Sequence, residues 1–309
     1  MTATLASSDP VLLAFAEQVG ATGPVAVAGG RTRWGLGGAL DDEARVMTAP
    51  SGIVDHQPEE MTVKVRAGTP VGELDAALAE NHQRSALPER GGTVGGALAV
   101  GENDPRALGR GRLRNALLQV RYISAEGRVI SGGGPTVKNV TGFDLPRLMV
   151  GSLGTLGLLA EVILRTNPIP PCSRWLMSRD ADRRHIFDAV LAPSAVLWDG
   201  TTTWVELEGH TPDVDAEEAA IGAIGTFEEV EGPPELPPHR WSVTADEALR
   251  CNGDTTGSFV AALGLGLMFC ERPQSLRPLR TELAVLGDRM KHNFDPTGRL
   301  NPGRDPGRK

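Results

Sequence analysis

Cysteine is nearly missing from this 309-residue chain, and aromatic side chains are scarce. Cys172, Cys251 and Cys270 are far apart and odd in number. They offer neither a disulfide framework nor the clustered thiolates of an iron–sulfur cluster, and free thiols suit a reducing cytoplasm. One tyrosine and an aromatic content of 4% leave little to stack on nucleic-acid bases. A formal net charge of −8 argues the same way, because phosphate backbones attract basic faces. The N-terminal stretch has no basic start and carries Asp9 and Glu17 within its apolar run. It reads as neither signal peptide nor membrane span, so a membrane is expected to be met only through a partner. No repeat period is visible, which sets solenoids aside. The six histidines are scattered, each more readily a surface or core residue than a base, and no metal-binding spacing emerges.

Glycine is abundant, at 38 residues, and much of it lies in three stretches. Each glycine is costly to order on folding, and close approach of backbone to a ligand is one common return. The first stretch, 29–38, follows an apolar run at 25–28 that reads as a buried strand. Its glycines permit successive N–H groups to point at an anion, although a plain flexible turn has the same composition. It is neither a dinucleotide GxGxxG nor a Walker loop. The second, 91–99, permits backbone to lie against a flat or phosphorylated ligand, or against another protein segment. The third runs from 127 to 168, holds Lys138-Asn139 and two glycine clusters, and feeds an apolar strand at 158–164.

Around these stretches the elements are conventional. Asp9-Pro10 opens a helix closed by Gly20. Residues 61–67 alternate as a half-buried strand, and Thr69-Pro70 opens a helix with Val71, Leu74 and Leu78 on one face. Arg106, Arg110, Arg112 and Arg114 crowd one loop, either solvated or facing a pyrophosphate or an acidic partner. Residues 117–123 and 128–131 read as a hairpin, and Asp144 caps a short helix ending at Gly151. The proline-rich segment 167–171 is the best boundary, dividing the chain into 1–170 and 171–309. Beyond it, TWVELE at 203–208 alternates as a strand. A helix opened by Ser275 carries an apolar stripe of Leu276, Leu279, Leu283, Leu286 and Met290.

The stretches PVAVAGGRTRWGLGG, GGTVGGALAVG and VKNVTGFDLPRLMVGSLGTLGLLAEV resemble, in order and spacing, the FAD-binding domain of the vanillyl-alcohol oxidase and p-cresol methylhydroxylase (PCMH) type. KNVTGFD followed by GSLGTLG is the most specific part. The closing FDPTGRLNPGR is similar to the tail of the glycolate oxidase and D-lactate dehydrogenase branch, within which the chain looks most like the smaller FAD-binding subunits. The resemblance implies an α+β fold: a two-lobed PCMH-type FAD-binding domain over 1–170 and a shortened α+β cap over 171–309, whose tail returns to the flavin domain.

Carried over by position, Gly29, Gly30, Arg31 and Thr32 form the first pyrophosphate loop, and Pro88, Thr93, Val94, Gly95 and Gly96 the second cradle. Lys138, Asn139, Thr141, Gly142 and Asp144 lie near the flavin. Gly151, Gly154, Thr155, Leu156 and Gly157 line the cofactor, with Glu161 and Val162 passing its adenine end. Lys138 is either a stabiliser of the reduced ring's negative charge or an ordinary surface lysine. Relatives that attach flavin covalently place a histidine or cysteine in the first loop. Arg31 and Arg33 stand there in this chain, so FAD is expected to be non-covalent.

The larger subunit's HAGDGNxH-like motif is missing, and no catalytic acid–base pair can be named. The implied function is therefore an FAD-binding subunit of a glycolate or 2-hydroxy-acid dehydrogenase complex. A larger FAD-binding subunit would oxidise the hydroxy acid and an iron–sulfur subunit would take the electrons. The expected location is cytoplasmic, reaching the inner membrane face only through partners. Two other readings remain: a stand-alone FAD-dependent alcohol or hydroxy-acid oxidoreductase, and a non-catalytic scaffold with a degenerate flavin site.

Overall fold

The computed structural model describes residues 8–135, 144–275 and 281–308. The chain divides into two compact units. The first comprises Met1–Asn103, Leu113–Pro168 and Arg277–Lys309, and the second Asp104–Arg112 and Ile169–Leu276.

In the first unit the helix Pro10–Val19 starts where Asp9 Oδ1 accepts the N–H groups of Val11 (3.0 Å) and Leu12 (3.3 Å). Gly20, at φ 62°, ends it. Leu12, Phe15 and Val19 are buried with Val25, Ile123 and Leu158. A five-stranded antiparallel sheet follows, in the spatial order Ile53–Gln57, Thr62–Arg66, Leu158–Arg165, Leu117–Ile123, Val129–Gly133. Thr62–Arg66, expected to be half-buried, is buried at four of its five positions. Val63 and Val65 pack in the main core with Leu74, Leu98 and Leu164. On the other face, the Arg66 guanidinium is taken up by Asp9 (2.6 Å) and Glu161 (2.7 Å). An ion pair therefore covers what alternation assigns to solvent.

Residues 295–304 are stitched into this unit by buried charge. Asp295, 1% exposed, accepts the N–H groups of Arg299 (3.0 Å) and Leu300 (2.7 Å) and the Lys291 ammonium (2.6 Å). Lys291 also donates to the carbonyls of Thr155 and Leu300. Arg299 donates to five main-chain carbonyls, those of Val19, Gly20, Thr22, Gly23 and Ala125. Val25 N–H donates to Arg299 O, and Asn301 N–H donates to Val25 O, so the tail extends the Val25–Val27 strand edge. The preceding helix is Thr281–Phe294, and Leu276 and Leu279 lie outside the described residues. Its expected apolar stripe is not a core face: Leu283 and Leu286 are 48% and 54% exposed. The last turn, through Lys291 and Phe294, makes its attachment instead.

The second unit is a seven-stranded antiparallel sheet, in the order Glu228–Val230, Cys172–Ser178, Thr203–Gly209, Ala195–Trp198, Phe259–Ala262, Leu267–Cys270, His239–Ser242. Asp104–Arg112 joins this unit although its sequence falls inside the first segment. The arginine-rich loop is therefore neither uniformly solvated nor wholly turned to a ligand. Arg106 reaches Glu206 (3.4 Å) and lies over the Trp175 ring, and Arg110 is buried, while Arg112 and Arg114 are exposed. Glu206 is 2% exposed. Burial, then the Glu208 carboxylate, pushes its carboxyl from the usual 4.5 up to about 7, against the pull of Arg106 and Arg110. The three cysteines are free, and burial, followed by the nearby Cys251, pushes the Cys270 thiol up to about 12.

Replacing Arg299 by alanine takes a donor from five main-chain carbonyls, those of Val19 and Ala125 being buried, although Val19 O still accepts from Arg45. It should destabilise the first unit by about 3 kcal/mol or more, read as a drop in its urea midpoint. The second unit should lose stability as pH rises between the unfolded and folded values of Glu206. In that window the folded carboxyl keeps a proton the unfolded chain has released. The loss amounts to about 3 kcal/mol between about pH 5 and about pH 8. Urea midpoints across this range should flatten in Glu206→Gln.

Candidate functional site

Where the Val25–Val27 strand ends, the chain enters Gly29-Gly30-Arg31-Thr32-Arg33 and comes against the segment Gly92-Thr93. A Cβ on Gly30 would sit 2.8 Å from Gly92 Cα, and one on Gly29 would overlap Thr93 Oγ1. Only glycine permits this approach. Along the two loops run two adjoining cavities, of about 290 Å³ and about 100 Å³, which share Gly29, Gly30, Thr93, Gly96, Leu153 and Asn301. The larger is walled by Ala49, Ala67, Leu158 and Leu159, an apolar slot for a flat group.

The smaller cavity has the donors. None of the main-chain N–H groups of Gly29, Gly30, Arg31 and Thr32 finds an acceptor among the described residues. Arg31 sits at φ 55°, the left-handed turn within such a run that lets neighbouring N–H groups converge. Arg33 lies along the same wall, its side chain 12% exposed. Its Nε donates to Glu102 Oε2 (2.8 Å) and its Nη1 to Thr32 Oγ1 (2.8 Å), while Nη2 is buried with no acceptor among the described residues. Arg90 donates to the other oxygen of Glu102 (2.8 Å). At the rim, the guanidiniums of Arg31 and Arg304 lie 5.1 and 4.8 Å from the centre of the Trp34 ring. Arg304 also donates to the carbonyls of Leu36 and Gly38. Buried or clustered donors without acceptors are what an anionic ligand satisfies.

The residues expected from sequence divide into several groups. Gly29, Gly30, Arg31, Thr32, Thr93 and Gly96 line the cavities, joined by Gly95 and Gly154 in the larger one. Pro88 and Val94 are buried away from both cavities. The N–H groups of Val94 and Gly95 are already taken by Thr69 O (2.9 Å) and Ala67 O (2.7 Å). Thr93 caps the helix Val94–Val100 through Gly96 N–H. The second cradle thus contributes close-packed backbone more than free donors.

Asp144 is spent as a helix cap on Arg147 N–H (3.1 Å) and lines neither cavity. Gly151 packs on Gly101, Gly157 packs on Tyr122, and Leu156 joins the core. Thr155 supplies its carbonyl to Lys291. On the Leu158–Arg165 strand, Glu161 faces Arg66 and Arg121 and Val162 faces the core, leaving Leu158 and Leu159 to meet the cavity. Lys138, Asn139, Thr141 and Gly142 lie outside the described residues. Asn301 and Arg304 also line the site, and the closing FDPTGRLNPGR was the only mark of them in the sequence. Glu206 lines neither cavity.

Comparison with known proteins agrees with this geometry. Residues 7–133 match the family described as FAD binding domain. Over 219 residues the chain is 32% identical to glycolate oxidase subunit GlcE of Escherichia coli (strain K12), covering 68% of this chain and 61% of that protein. It is 35% identical over 151 residues to a D-lactate dehydrogenase of Archaeoglobus fulgidus, covering 47% of this chain and 33% of that one. The chain thus spans less than two thirds of the length of either relative. Alkyldihydroxyacetonephosphate synthase shares the fold, with a TM-score of 0.69 over 94% of this chain and 73% of that one, at 11% identity. FAD fits what the site offers: its diphosphate suits the unpaired N–H groups and the orphan Nη2 of Arg33, and its flat ring suits the apolar slot. Residues 7–133 of this chain carry an FAD-binding domain, and its cofactor is FAD.

Proposed function

We propose that the chain is the FAD-binding subunit of a glycolate-type 2-hydroxy-acid dehydrogenase, holding its flavin without a covalent bond. The observation that carries this reading is the run of unpaired N–H groups from Gly29 to Thr32 beside an apolar slot, in a chain similar to a glycolate oxidase subunit over 68% of its length. Bound FAD supplies a hydride acceptor. The chain's own residues would position it: the Gly29 loop would hold the diphosphate, Gly30 and Gly92 bring backbone close, and Leu158 and Leu159 would keep water from the ring.

No histidine or cysteine lines either cavity among the described residues, which supports non-covalent attachment. Those linings also hold no carboxylate or imidazole to serve as a base, which favours oxidation of the hydroxy acid on a larger flavoprotein subunit. Because the three thiols are free and dispersed, electrons leaving this subunit would pass to an iron–sulfur partner. Among the described residues no helix is long and apolar enough to cross a membrane, and our reading places the subunit in the cytoplasm, held at the membrane only by its partners.

The purified chain should show flavin absorption bands that move wholly into the supernatant on acid precipitation. Glycolate or D-lactate should bleach them only after recombination with the larger subunit. A chain that stays colourless after incubation with FAD would refute the reading. Gly30→Ala should weaken FAD binding by at least about tenfold while leaving the melting profile of the second unit unchanged, because the added Cβ meets backbone rather than a movable side chain.

A further inference from the structure

We infer that the Arg33 side chain is itself a ligand of the cofactor's diphosphate, held ready for it by Glu102. The inference rests on the FAD reading above and assigns the anion subsite to a side chain as well as to backbone.

Three of the guanidinium's features converge. Its Nε and Nη1 are fixed by Glu102 Oε2 and Thr32 Oγ1, both at 2.8 Å, so the plane of the group cannot turn freely. Its third nitrogen, Nη2, has no acceptor among the described residues and no appreciable solvent contact. Leaving a charged donor in that condition is costly, and folded proteins seldom do so without a reason. The side chain also lines the cavity that holds the unpaired N–H groups of Gly29 to Thr32. A phosphate oxygen there would satisfy backbone and guanidinium together.

Glu102 explains why the guanidinium stays in place. Its side chain is 2% exposed and receives Arg33 through one oxygen and Arg90 through the other. The carboxylate is thus fixed from two sides, and Arg33 is oriented before any ligand arrives. Such preorganisation lowers the ordering cost of binding. Glu102 is a positioning residue, because it acts through Arg33. Arginine suits this role better than lysine: its planar fork spaces three nitrogens so that two are held while the third is left over, whereas a lysine's three donors radiate from one atom that would have to reach Glu102, Thr32 and a phosphate at once.

The test uses the full chain stripped of flavin and titrated with FAD, riboflavin and inorganic pyrophosphate. Arg33→Gln should weaken FAD and pyrophosphate by about 10- to 100-fold and leave riboflavin, which has no phosphate, unchanged. Arg33→Lys should fall between the two. Glu102→Gln should lower the ratio of FAD to riboflavin affinity, and should change it no further once Arg33 is already glutamine. Equal FAD affinity in Arg33→Gln and the unsubstituted chain would overturn the inference. So would a parallel loss of FAD and riboflavin, which would make Arg33 a brace for the loop. If the unsubstituted chain takes pyrophosphate through Arg33 but no flavin, the subsite stands and the FAD reading falls. If it takes none of the three, both fall.

Discussion

The site depends on the approach of two backbones. Gly30 lies so close to Gly92 that a single Cβ at position 30 would stand 2.8 Å from a main-chain carbon. That contact joins the loop leaving the first strand to the loop entering the Val94–Val100 helix, and it fixes the direction in which the unpaired N–H groups point. The carbonyls of Thr69 and Ala67 already occupy the first N–H groups of that helix. The donors left for an anion are therefore those of the first loop, with Arg33 beside them. Glu102, accepting from both Arg33 and Arg90, holds the first loop to the second by charge where the glycines hold it by shape.

A second constraint brings the tail to the same place. Arg299 fills a ring of five carbonyls with its guanidinium, and Asp295 and Lys291 secure the turn before it. From that anchor Asn301 and Arg304 reach the cavity wall. Burial costs the Arg299 charge, and the acceptors that meet it on several sides offset that cost.

Much of this was legible in the sequence, and the misses have physical causes. Asp9-Pro10 and Gly20 announce a helix because capping is local. The glycine loops announce backbone approach because no other residue tolerates it. Arg33 carries no such mark, since an arginine in a loop reads as solvated until Glu102, 69 positions away, is found bonded to it. Alternation made residues 61–67 a half-buried strand, yet Asp9 and Glu161 bury Arg66 on its polar face. Glu206 likewise lies beneath Arg106, which arrives from a segment no local pattern could assign to the second unit. Conversely, the stripe of Leu283 and Leu286 has the period of a core face and stays exposed, because periodicity reports amphipathicity and not what covers it.

The interleaving of the two units bears on the order in which the chain can fold. Arg299 donates to Gly23 O across 276 positions, and the second unit borrows Asp104–Arg112 from within the span of the first. On the ribosome, the strand edge at Val25 emerges early but must wait for Leu300 and Asn301 before its hydrogen bonds close. The second unit, whose last strand ends at Cys270, has all its parts sooner. The flavin-binding half, although first in sequence, gains these contacts only after residues 299–301 have emerged, and closing so long a loop carries an entropic cost.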